Sequence, residues 1–115
     1  MHETSLIDFT LNAVENKCLQ LGVRHVKSVR LVVGDLRGAL PELMHEAFSI
    51  LTYTRPLFHG AALEIEPRAV VLRCKNCGAE FSPADFHAVT CPQCRSGAYE
   101  ICAGNELYID SFEGE

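Results

Sequence analysis

The sequence predicts an α+β fold: a small mixed three-stranded sheet covered by two helices, with a four-cysteine zinc ribbon inserted before the last strand. Three observations carry this. An apolar stripe at helical spacing precedes a strand at period two, and a second helix and strand follow in the same order. Two Cys-x-x-Cys pairs then interrupt the chain before a last alternating segment.

The elements follow in order. Ile7, Leu11, Val14, Cys18 and Leu21 step by four and three, one stripe of an amphipathic helix. Thr4 or Ser5 is placed to cap its start, with Asp8 three residues after Ser5 in the manner of a capping box, and Gly22 supplies the stop. Val29, Leu31 and Val33 alternate with Ser28, Arg30 and Val32 as a strand closing at Gly34. Asp35 to Gly38 reads as a turn, and Pro41 suits the first position of a second helix. Leu43, Ala47, Ile50 and Leu51 are expected on its buried face, with Phe48 beside them. Leu63 and Ile65 alternate with Glu64 and Glu66 as a second strand that Pro67 should break. The connection between these two strands is long enough for a crossover, which would make them parallel and the sheet mixed. Residues 105–112 return as the last strand, with Leu107 and Ile109 on one face. The division implied is an α+β domain of residues 1–68 together with 103–115, and a zinc-ribbon domain of 69–102.

Charge and composition narrow the function. The net charge is −5 and the basic residues are scattered, which argues against a nucleic-acid face built on clustered Lys and Arg. No apolar run approaches the roughly 18 residues of a membrane span. The first 21 residues carry Glu3, Asp8, Glu15 and Lys17 and do not read as a signal peptide, so a cytoplasmic, reducing setting is expected.

The cysteines carry the first chemical signal. Thirteen residues separate Cys74-Lys75-Asn76-Cys77 from Cys91-Pro92-Gln93-Cys94, close to the spacing of four-thiolate zinc sites. Each Cys-x-x-Cys turn offers two sulfurs from one tight loop, and zinc wants four in a tetrahedron. The ribbon is poor in large aliphatics, so metal would supply stabilisation that burial cannot. Met1-His2-Glu3 is a second constellation. A terminal amine, backbone nitrogens and a nearby imidazole close small chelate rings of the nitrogen type that nickel(II) prefers. Histidine is too bulky for ordinary removal of an initiator methionine, so Met1 should stay and supply the amine. Glu3 would add a carboxylate or orient the other ligands. On spacing alone, a solvated N-terminus with an incidental histidine competes with this reading.

The same residues resemble the HypA/HybF family of [NiFe] hydrogenase maturation proteins. The resemblance covers the whole chain. It runs from Met1-His2-Glu3 and the first helix, through Val32-Val33-Gly34 and the Cys74/Cys77 and Cys91/Cys94 pairs, to Gly104-Asn105-Glu106-Leu107. The resemblance implies a metallochaperone and not an enzyme. Nickel would bind at Met1, His2 and Glu3, and zinc, structurally, at the four cysteines. The implied partners are a HypB-type GTPase and the hydrogenase large-subunit precursor, with urease maturation proteins a further client in some members. Monomer and homodimer both stay open. Several members carry a histidine after the last zinc cysteine; here that position is Arg95.

The remaining candidates have plainer readings. Cys18 belongs to the helix stripe and Cys102 lies beyond a site already closed by four ligands. His25, His45, Glu46 and His87 read as surface groups, and His59 as a loop residue. No Gly-rich phosphate loop or nucleophile set is present. A zinc-ribbon adaptor for nucleic acid or a protein partner is the alternative, and a rubredoxin-like iron carrier a third reading.

Overall fold

The computed structural model describes residues 2–83 and 89–115. Its elements run α1 (Glu3–Leu21), β1 (Val26–Gly34), a 3-10 turn (Asp35–Arg37), α2 (Pro41–Thr52), a second 3-10 turn (Pro56–Phe58), β2 (Ala62–Arg68), β3 (Val71–Cys74), β4 (Glu80–Phe81), β5 (Tyr99–Ala103) and β6 (Leu107–Gly114). The chain divides into two compact units. One is Met1–Val32, Gly38–Glu66 and Tyr108–Glu115; the other is Val33–Arg37 and Pro67–Leu107.

The first unit contains both helices and most of a three-stranded sheet ordered β2-β1-β6. His25 and Glu115 exchange both backbone hydrogen bonds, N–H to O at 2.9 Å and 2.8 Å, the signature of an antiparallel pair where β1 meets β6. Ile7, Leu11, Val14 and Cys18 are buried as the stripe requires, joined by Leu6 and by Thr10, whose hydroxyl donates to the Leu6 carbonyl at 2.8 Å. Gly22 ends α1 in the left-handed region with φ 73°, and both its N–H and that of Val23 return to the Cys18 carbonyl.

Several expectations are corrected here. α1 begins two residues early: His2 is its N-cap, with extended dihedrals and no side-chain cap, and the Leu6 N–H donates to the His2 carbonyl at 3.0 Å. Thr4 and Ser5 therefore lie inside the first turn and are exposed, and Asp8 pairs with Arg55 at 3.4 Å instead of closing a capping box. Leu21 keeps its angular place in the stripe but is 61% exposed, because the helix ends there and the side chain borders an open surface depression. α2 is rotated by about one residue from expectation. Met44, Ala47, Phe48 and Thr52 are buried, while Leu43 and Ile50 are exposed. Leu43 precedes Met44 by roughly 100° of turn, enough to leave the buried face. Pro67 does not break β2, because β2 is an edge strand and an edge can lack one donor. His25 is half-buried, with its Nε2 2.8 Å from the His59 carbonyl oxygen, and is not simply solvated.

The second unit has a sheet of its own, which the sequence reading missed. β3 is central, flanked by antiparallel β4 (Leu72 opposite Phe81) and β5 (Leu72 opposite Ile101). Its hydrophobic content is small: among the described residues of the segment 67–107, only Val70, Leu72, Cys74 and Cys91 are buried apolar side chains.

Candidate metal centre

The four cysteines meet at the ends of two turns built alike. In the first, the Cys74 N–H donates to the Ala79 carbonyl and the Gly78 N–H to the Cys74 carbonyl, both at 2.9 Å. In the second, the Cys91 N–H donates to Ser96 at 2.9 Å and the Arg95 N–H to Cys91 at 2.8 Å. Both turns pass through the left-handed region after their second cysteine, at Gly78 (φ 77°) and at Arg95 (φ 63°). The first turn uses the residue suited to that conformation, and the second does not.

The sulfurs converge. Cys74 and Cys94 lie 3.4 Å apart, Cys77 and Cys91 3.6 Å apart, and all four within 4.8 Å of one another. A disulfide needs about 2.05 Å, and all six cysteines are free. A tetrahedron with metal–sulfur bonds of 2.3 Å has sulfur–sulfur edges of about 3.8 Å. The observed spacing thus fits one tetrahedral ion held by thiolates, which is the preference of zinc. The protonation of the set is uneven. Asn76, then the Ser96 N–H and the Cys74 thiol, pull the Cys94 thiol down to about 6, and the Cys94 and Gln93 N–H groups lower Cys91. The Ala79 N–H favours the Cys77 thiolate, but the Cys91 thiol, burial, and the Cys94 and Cys74 thiols outweigh it and push Cys77 up to about 12. Four thiolates at this spacing need a cation among them.

Cys102 is exposed on β5 and outside the cluster. Cys18 is buried in the α1 stripe, where burial raises its thiol. His45 and Glu46 are exposed on α2, as expected of surface groups, and His87 lies outside the described residues.

At the other candidate site Met1 also lies outside the described residues. His2 is exposed at the head of α1. Glu3 is half-buried, and its Oε1 accepts the Leu40 N–H at 3.2 Å. Its own backbone N–H, and then that of Leu40, hold the Glu3 carboxyl below its ordinary value. Reading the sequence gave no sign of the Leu40 contact, which spans 37 positions. Asn76 and Ser96 were also missed as thiolate partners; a polar residue inside or just after a Cys-x-x-Cys pair is the signal that points to them.

A family model described as hydrogenase/urease nickel incorporation, metallochaperone, hypA matches residues 1–114. The chain belongs to the HypA family. The hydrogenase maturation factor HypA of Moorella thermoacetica is 43% identical over 115 residues, covering all of both chains. That of Lawsonia intracellularis is 36% identical, again over the whole of both. The solution structure of the nickel metallochaperone HypA from Helicobacter pylori superposes with a TM-score of 0.68 at 25% identity, covering 99% of this chain and 97% of that one. A second HypA solution structure gives 0.70 at the same identity. HypA family membership accounts for an α+β chain with a four-cysteine centre. No helix among the described residues is long and apolar enough to cross a membrane.

Proposed function

We propose that this chain is a nickel metallochaperone of hydrogenase maturation. It takes Ni(II) at its N-terminus through the Met1 amine, the His2 imidazole and adjoining backbone nitrogens, with Glu3 assisting. Cys74, Cys77, Cys91 and Cys94 hold a structural zinc. The N-terminal α+β portion is the nickel domain and the cysteine segment the zinc domain. The chain acts in the cytoplasm as a carrier and not a catalyst. It works with a HypB-type GTPase that supplies the switch, and delivers nickel to the [NiFe] hydrogenase large-subunit precursor. Urease maturation is a second possible client, and the reading holds for a monomer or a homodimer.

The observation that carries this is the family match over residues 1–114. Two local features support it. His2 caps α1 with its backbone and so leaves its ring exposed for a metal. The thiol cluster fits a closed tetrahedral site with no open position, which suits structure better than transfer. Nickel at an exposed chain end can be reached by an acceptor without unfolding the carrier.

A nickel titration of protein with an unextended N-terminus tests it. We expect one nickel per chain, strongly weakened by His2→Ala, which removes the imidazole. One residue added before Met1 should do the same, because it turns the amine into an amide. Acid should release nickel, since an imidazole must be unprotonated to ligate. An N-terminally extended, histidine-free tag that leaves nickel affinity intact would refute the site.

A further inference from the structure

The start of α2 lacks a cap of its own. Leu40 is the N-cap, with extended dihedrals (φ −89°, ψ 123°) and no side-chain hydrogen bond. Pro41 follows at the first helical position and has no N–H to offer. In a capping box the third helical residue is Glu or Gln and reaches back to the N-cap N–H. Here that residue is Leu43, which cannot. Glu3 does it from another helix: its Oε1 accepts the Leu40 N–H at 3.2 Å. The residue next to His2 is thereby tied to the head of α2. Farther along, Arg55 just beyond α2 reaches Asp8, Asn12 and Glu15 of α1 at 3.0–3.4 Å, so polar contacts tie both ends of α2 to α1.

We propose that Glu3 is a positioning residue for nickel, its carboxylate held by the Leu40 N–H and not by the metal. This rests on the N-terminal nickel site proposed above. The contact restrains the short segment carrying His2, so less freedom is lost when the amine and imidazole close on one ion. The contact engages Oε1 and leaves Oε2 free, so ligation through Oε2 is the alternative that the two variants below separate.

The test compares Glu3→Gln with Glu3→Ala in protein with an unextended N-terminus, by Ni(II) titration and by the amide NMR signal of Leu40. Glutamine keeps an acceptor oxygen for the Leu40 N–H, and alanine does not. We expect Glu3→Gln to bind nickel within about threefold of the parent. Glu3→Ala should bind about tenfold more weakly, the scale of one hydrogen bond. Before nickel is added, the Leu40 amide signal should move in Glu3→Ala and stay near its place in Glu3→Gln. Nickel added to the parent should leave Leu40 protected from hydrogen exchange. Equal losses in the two variants would make Glu3 a ligand and overturn the proposal; loss of Leu40 protection when nickel binds the parent would also overturn it, because Leu40 would then no longer hold the carboxylate. So would an unchanged affinity in both. His2→Ala is the separating control. If it binds nickel as the parent does, the N-terminal site itself fails; if it does not and Gln behaves as Ala, only the positioning role fails.

Discussion

At the scale of single residues, Arg95 and the four thiols decide most. Arg95 occupies the left-handed backbone that its counterpart Gly78 occupies freely. A non-glycine residue there costs on the order of 1 kcal/mol. Arg95→Gly should therefore raise the thermal midpoint of the zinc-loaded protein or slow zinc loss to a chelator. A midpoint that falls would mean the Arg95 side chain gives back more than the strain costs. The arginine at this position was readable in the sequence, but the strain was not, because it follows from the repeated turn geometry. The thiols set the pH response. Zinc needs thiolates, and Cys77, pushed up to about 12 in the assembled cluster by the neighbouring thiols and burial, must surrender its proton at any ordinary pH. Zinc affinity should thus rise with pH. Competition with a chelator across pH 5 to 8 measures it, and an affinity that does not change with pH would contradict a thiolate site.

At the scale of elements, α2 separates what periodicity tells from what it does not. Its start at Pro41 and its amphipathic character were legible. Its buried face was not, because Leu43, Met44, Ala47, Phe48, Ile50 and Leu51 spread apolar groups over an arc of about 160°, wide enough for the buried face to centre towards either side of it. Only tertiary contacts choose the arc centred on Met44 and Phe48. The choice has a measurable consequence. Met44 is fully buried, and Met44→Ala should cost about 2–5 kcal/mol in denaturant unfolding. Leu43 is 42% exposed, and Leu43→Ala should stay within about 0.5 kcal/mol. Equal costs would restore the face expected from sequence. The Gly34 and Gly104 segments tell a related story. They were noticed as separate motifs, yet the Gly34 N–H donates to the Glu106 carbonyl at 2.7 Å and the Leu36 N–H to Gly104 at 2.9 Å. A Cβ on Gly34 would lie 2.1 Å from the Gly104 carbonyl oxygen, so this crossing of backbones admits no side chain. Sequence shows two glycines; only the fold shows that Gly34 abuts the Gly104 backbone and that Gly104 abuts Val70.

At the scale of the whole molecule, the two candidate metal sets belong to different units. His2 and Glu3 lie in the unit that contains both helices, and the four cysteines lie in the other. The two units are also held together by different means. The helical unit buries Ile7, Leu11, Val14, Val29, Leu31, Met44, Phe48 and Phe58, each worth about 1.5–3 kcal/mol when fully buried. The cysteine unit has few such groups, so a metal among its sulfurs would supply much of its stability. This asymmetry was visible in composition, and the spacing of the two Cys-x-x-Cys pairs singled out the four cysteines that the fold brings together. The small sheet around β3 escaped notice because strands of two to five residues leave almost no periodic trace. Cys91→Ser tests the separation. It removes one of four thiolates and leaves the helices untouched. We expect loss of zinc and of the dispersed NMR signals from residues 71–103, with helical circular dichroism retained. The nickel titration should still reach one equivalent at an affinity within about threefold of the parent, because no cysteine belongs to the proposed N-terminal ligand set and the two sets lie in different units. If Cys91→Ser loses nickel along with zinc while its helices persist, the two sites are one energetic system, and an account that gives nickel to the N-terminus alone would fall.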